Sequence, residues 1–127
     1  MGVPPSGALT GVYVLVVEDD EDARNIMHSL LTYLGALVTT AATARAALNL
    51  LEQIKSDVVV CDVYLPDADA LWLIGQARAH QPETPFIAIS GQDHDEQEML
   101  RLGFVASFTK PVSLDVLVSK ILSAIGR

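Results

Sequence analysis

The chain alternates between two kinds of hydrophobic pattern. Val12 to Val17 is an unbroken apolar run, as a parallel strand buried on both faces reads, whereas Met27, Leu30, Leu31 and Leu34 recur at the spacing of one helix face. The same pair returns as a strand over Ala36 to Thr40 and a helix from Thr43, with Ala44, Ala47, Leu48 and Leu51 on one side and Thr43 placed to cap it. Val58 to Cys61 is the strongest central-strand candidate. Pro66 then marks a turn, and Ala70, Leu73, Ile74 and Ala77 predict a helix that Pro82 and Pro85 bring to an end. Phe86 to Ile89 predicts the fourth strand, Asp95 to Leu102 a short, weakly patterned helix stopped at Gly103, and Ala106 to Thr109 a brief fifth strand. Ser113 is placed to cap the last helix, whose Leu114, Leu117, Val118, Ile121, Leu122 and Ile125 share a face. Met1 to Gly11 has prolines, glycines and little periodicity, which predicts a flexible lead-in over 1–11 and a single domain over 12–127.

Five strand-helix units with short connections predict an α/β fold: a doubly wound parallel sheet of five strands, with five helices on its two faces and right-handed crossovers. A chain of 127 residues suits one such domain and leaves no room for a second. No apolar run approaches the roughly 18 to 20 residues of a membrane helix, and the start lacks the parts of a secretory signal, so a soluble protein with no membrane contact is expected. The one cysteine, Cys61, lies within a strand and suits a reducing cytoplasm. A formal net charge of −8, with only eight scattered basic residues, argues against direct nucleic-acid binding.

In this class of sheet, ligands collect beyond the carboxyl ends of the strands. The residues that fall there are Glu18 and Asp19 after the first strand, Asp62 after the third, Ser90 after the fourth and Lys110 after the fifth. Three carboxylates brought together repel one another by roughly 4 kcal/mol per pair at about 4 Å and an effective dielectric near 20, so they stay ionised around a cation. A hard oxygen-seeking ion such as Mg²⁺ (or Mn²⁺) fits, and it leaves one oxygen of Asp62 free to attack phosphorus. Phosphoryl transfer asks mainly for positioning and for neutral charge around three equatorial oxygens. The Lys110 ammonium and the Ser90 hydroxyl are suited to two of these oxygens, and Asp62 is the expected nucleophile.

These pieces resemble the receiver domains of two-component response regulators and hybrid histidine kinases from Val12 to Ile125. The resemblance is carried by Val14-Leu15-Val16-Val17-Glu18-Asp19-Asp20 with Arg24 beyond, Asp62-Val63-Tyr64-Leu65-Pro66, Ile89-Ser90-Gly91 and Lys110-Pro111. It implies a flavodoxin-like sheet of order 2-1-3-4-5. It also implies that Asp62 is the phosphoacceptor, with Glu18 as the outer metal ligand, Asp19 as the direct one and Asp20 in a supporting or capping role. The backbone carbonyl of Tyr64 is then a further metal ligand, Ser90 the hydroxyl that moves toward the phosphoryl group, and Lys110, beside Pro111, the phosphate-pairing lysine. The implied donor is a histidine kinase or a histidine phosphotransfer protein. Output is expected through docking to another protein, through homodimerisation or through a larger parent chain. Such a domain catalyses its own phosphorylation and dephosphorylation and is not a turnover enzyme.

The chain departs from the family pattern in three places. The aromatic residue usual three positions before the lysine is Ser107, with Phe108 one place later on the opposite strand face, so the readout is expected to differ. Ala70 stands where a Gly often follows the phosphorylation loop, and Phe104 replaces a small residue after Gly103, so repacking is expected at both. The main alternative is a pseudo-receiver, a module that docks without phosphorylation. An aspartyl-phosphate hydrolase needs a second acid two residues after the first, and that position is Tyr64. A dinucleotide-binding turn needs glycines where Glu18-Asp19-Asp20 stands. His28, His80 and His94 are expected as surface or helix-face residues without a relay role.

Overall fold

A computed structural model describes residues 3–92 and 95–127, so the reading of His94 lies outside the described residues. Elements alternate strictly: β1 (Tyr13–Val17), α1 (Glu21–Tyr33), β2 (Leu37–Ala41), α2 (Ala44–Gln53), β3 (Val58–Asp62), α3 (Ala70–Ala77), β4 (Phe86–Ser90), α4 (Glu96–Arg101), β5 (Ala106–Thr109) and α5 (Leu114–Ala124). All strand pairs are parallel and the sheet order is β2-β1-β3-β4-β5. The flavodoxin-like expectation is met, and the strand order reverses between β1 and β3.

Continuous apolar strands are needed because both sheet faces are covered. Val14, Val16, Val58, Val60, Ile87 and Ile89 point to one side, packed with Leu31 of α1, Leu34 at its C-terminal cap, and Leu117, Val118 and Ile121 of α5. The residues between them, Leu15, Val17, Val59, Cys61, Phe86 and Ala88, point to the other, against α2, α3 and α4. The helices stop and start where polar side chains satisfy free backbone groups. Asp20, Thr43, Asp69 and Asp95 each accept a backbone N–H at the start of their helices. Ser113 occupies the expected cap position of α5 but makes no side-chain cap there; its hydroxyl hydrogen-bonds Asp115 instead.

Two features of burial go beyond the sequence pattern. On α1 only Leu31 is buried and Met27 is half-buried, while Leu30 is 40% exposed, so the helix turns part of its apolar face outward. In the lead-in, turns link Ala8 to Pro5 and Thr10 to Gly7, and the Leu9 N–H donates to the Leu34 carbonyl at 2.9 Å. Leu9 is fully buried in the core shared by α1 and α5. Gly35, with φ +100°, makes room for this crossing: a Cβ there would lie 2.7 Å from Thr10 Oγ1 and 3.0 Å from its Cα. Leu9→Ala is therefore expected to destabilise the domain by about 2–4 kcal/mol, as deletion of a core leucine does, and urea unfolding monitored by circular dichroism will read it.

Candidate functional site

The site is built at the carboxyl edge of the sheet, where the order reverses. Glu18 remains attached to the sheet through its N–H, which donates to the Ala41 carbonyl at 3.0 Å, and its side chain is almost wholly buried. Asp19 next to it is exposed. Asp20 then caps α1, accepting from the Ala23 N–H at 2.8 Å, while its own N–H donates to Glu18 Oε2 at 3.2 Å. Arg24 reaches back from the first turn of α1 and donates Nη1 to the carbonyls of Glu18 (3.0 Å) and Asp19 (3.4 Å). The acidic turn is thus held by the sheet, a cap and a guanidinium.

Asp62 ends β3 with its side chain 11% exposed, and its Oδ1 accepts from the Tyr64 N–H at 3.0 Å. Glu18, Asp19 and Asp62 each offer an oxygen within 4.8 Å of the others. Lys110 follows β5, its N–H donating to the Ser90 carbonyl at 2.7 Å and its peptide bond to Pro111 being cis. Its ammonium donates to Glu18 Oε1 and, at 3.2 Å, to Asp62 Oδ2. Partial burial alone would lower the lysine's pKa; the hydrogen bond it donates to Glu18 and the charges of Asp62 and Glu18 outweigh it and raise the pKa above the ordinary value. Three carboxylates against one ammonium leave the pocket negative, and an all-oxygen set of this kind suits a hard divalent cation.

The other expected residues lie on the neighbouring strands, loops and helices. Ser90 is fully buried at the end of β4, its Oγ accepting from the Gln92 N–H at 3.1 Å. The Tyr64 ring is half exposed on the loop after Asp62. On β5, Phe108 packs partly into the core under α1 and α5, and Ser107 is half-buried on the alternate face, so no ring stands three places before the lysine. Ala70 is buried as the first residue of α3, and Phe104 is buried with Met99 and Ile74. The thiol of Cys61, beside Asp62, is pushed upward in pKa by burial and then by the charges of Asp62 and Glu18. His28 is exposed, and His80 pairs with Glu52 at 3.2 Å on the surface.

Two features escaped the sequence pattern. A cavity of about 320 Å³ adjoins Glu18, Asp62 and Lys110 and is lined on its apolar side by Ala23, Ile26, Met27, Leu30, Pro111 and Val112. Asp67, exposed on the loop after Asp62, accepts from the N–H groups of Ala44 (2.9 Å) and Arg45 (3.0 Å) at the start of α2. Desolvation would raise the carboxyl's pKa, but backbone N–H groups, those of Ala44 and Arg45 foremost and then those of Asp67 and Ala68, together outweigh it and hold the carboxyl below the usual aspartate range. No local signal marks Asp67, because its partners lie 23 and 22 residues earlier.

The model of the response regulator receiver domain matches residues 14–122, and the chain belongs to that family of two-component signalling domains. It is 42% identical over 103 residues to an uncharacterized 14.6 kDa protein in the sodA1 3'region of Leptolyngbya boryana, covering 78% of this chain and 79% of that one. It is 34% identical over 106 residues to the Regulator of RpoS of Escherichia coli K12, covering 82% of this chain; the chain spans only 32% of that protein. Among solved structures, the Francisella response regulator 1452 receiver domain superposes with a TM-score of 0.84 at 28% identity, covering 92% of this chain and 98% of that one.

Proposed function

We propose that this domain is a cytoplasmic phosphorylation switch in which Asp62 takes a phosphoryl group from a partner's phosphohistidine. The observation that carries the reading is the meeting of Asp62 with Glu18 and Asp19 on one side and with the Lys110 ammonium at 3.2 Å on the other. Glu18, Asp19, Asp62 and the Tyr64 backbone carbonyl are the groups that would hold Mg²⁺ (or Mn²⁺). When bound, the ion supplies positive charge to the carboxylates and to the incoming phosphoryl oxygens.

The chain's own residues do the rest. An Asp62 carboxylate oxygen forms the new bond to phosphorus as the P–N bond breaks and its electron pair returns to the donor imidazole, leaving an acyl phosphate. Lys110 turns from its two carboxylates to a phosphoryl oxygen, which changes no formal charge on the lysine and needs no proton transfer. Ser90, held at the end of β4, supplies its hydroxyl to another. Arg24 fixes the backbone of the acidic turn and so keeps Glu18 and Asp19 in register with Asp62.

A donor must bring its histidine to this edge of the sheet. The groove beside the site offers it an apolar seat: Ile26 and Leu30 of α1 are exposed one turn apart, and Pro111 and Val112 form the facing wall. A helical histidine kinase or phosphotransfer protein fits such a surface. Downstream, the changed domain acts on a partner protein, a second copy or a parent-chain domain by shifting between two conformational populations. A module that signals without phosphorylation is free to lose its acids or its lysine, and here Glu18, Asp19, Asp62 and Lys110 are all present. Intact mass after incubation with acetyl phosphate tests the reading: one added phosphoryl group that requires Mg²⁺ supports it, and no gain with or without the ion refutes it.

A further inference from the structure

The loop after Asp62 is fastened at both ends. At its start Tyr64 donates to Asp62 Oδ1, and the Val63 N–H donates to the Ile89 carbonyl at 3.2 Å. At its end Asp69 caps α3 by accepting from the Trp72 N–H at 2.8 Å. Between these points Asp67 leaves its own element and takes two of the free N–H groups of α2, while the neighbouring Ala46 N–H goes to the Thr43 hydroxyl at 3.0 Å. Arg45, whose N–H Asp67 accepts, places its guanidinium 5.0 Å from the ring centre of Trp72 on α3. Loop, α2 and α3 thus close a circuit of four residues: Asp67, Arg45, Trp72 and Asp69.

The geometry points to Asp67 as a positioning residue that holds the Tyr64 segment in register with the acid cluster and passes any shift of that segment to α2 and the Arg45–Trp72 stack. This deepens the phosphorylation-switch reading and rests on it. Asp67 lies three residues beyond Tyr64, the residue whose carbonyl the switch assigns to the metal, and a loop tied so close to its ligand cannot move without moving its anchor. The anchor is made of charge-assisted hydrogen bonds to a helix start, which are directional and strong enough to hold an exposed segment. With Ser107 in place of a ring on β5, this route gives the domain a report of the site's state on the α2–α3 side.

Trp72 is the only tryptophan in the chain, so its emission reads the stack directly. The test compares Asp67→Ala, Asp67→Asn and Thr43→Ala by Mg²⁺ calorimetry and by Trp72 fluorescence with and without the ion. Asp67→Ala is expected to weaken Mg²⁺ binding about fivefold, less than loss of a direct second-layer partner, and to shift Trp72 emission even without metal. Asp67→Asn keeps one acceptor oxygen and should fall between Ala and wild type. Thr43→Ala removes a cap from the same helix, so it should lower Tm comparably while leaving Mg²⁺ affinity and emission unchanged. Three results would overturn the assignment: unaltered affinity in Asp67→Ala, equal losses in Ala and Asn (an effect of charge alone), or an equal loss in Thr43→Ala (an effect of helix stability alone). Wild-type protein that binds no Mg²⁺ refutes the switch reading together with this inference, whereas normal wild-type binding with unmoved variants refutes only the inference.

Discussion

Asp62→Asn removes the phosphoryl gain from acetyl phosphate completely, because the amide has no anionic oxygen to attack phosphorus. The same variant is expected to be more stable than wild type without metal, by about 1 kcal/mol. It relieves repulsion between a largely buried carboxylate and two neighbouring acids at the expense of a single ion pair. Intact mass and urea unfolding in EDTA read the two effects separately. A residual Mg²⁺-dependent gain in the variant would move the phosphoacceptor elsewhere, and a loss of stability would mean that the Asp62–Lys110 pair outweighs the repulsion.

Lys110→Met is expected to split two properties that usually move together. Phosphoryl transfer slows by about 100-fold or more, since a charge that stabilises the transferring group is gone. Mg²⁺ binding tightens by about tenfold, since a cation adjoining the site is gone too. Without metal, Glu18 and Asp62 lose their shared partner, so Tm in EDTA falls, and saturating Mg²⁺ restores it by mass action. Calorimetry, phosphorylation rate and melting with and without the ion give the three readings. Weaker Mg²⁺ binding in the variant would show that Lys110 serves the acids chiefly as a scaffold.

The strands were legible because a sheet buried on both faces demands unbroken apolar runs, and runs such as Val58 to Cys61 have few other uses. The acid cluster and Lys110 were legible for a related reason: chemistry in this fold gathers at strand ends, and strand ends can be read from the same pattern. What the pattern missed is governed by contacts between distant segments. Leu9 sits in a stretch rich in turn residues, and only its approach to Leu34 across Gly35 makes it core. The apolar positions of α1 divide between the core and the groove, and helical spacing alone does not tell Leu31 from Leu30. Asp67 looks like any loop acid until α2 is folded beside it. Ser113 had the right type and place for a cap, but Asp115 two residues on competes for its hydroxyl.

The free thiol of Cys61, wholly enclosed in β3 and kept protonated by its surroundings, makes the folded domain inert to thiol reagents. The thiol is exposed only when the central strand comes apart, so the rate at which a maleimide captures it is a clock for global opening. A single cysteine placed on the surface would then take a dye at one position without removal of the native one.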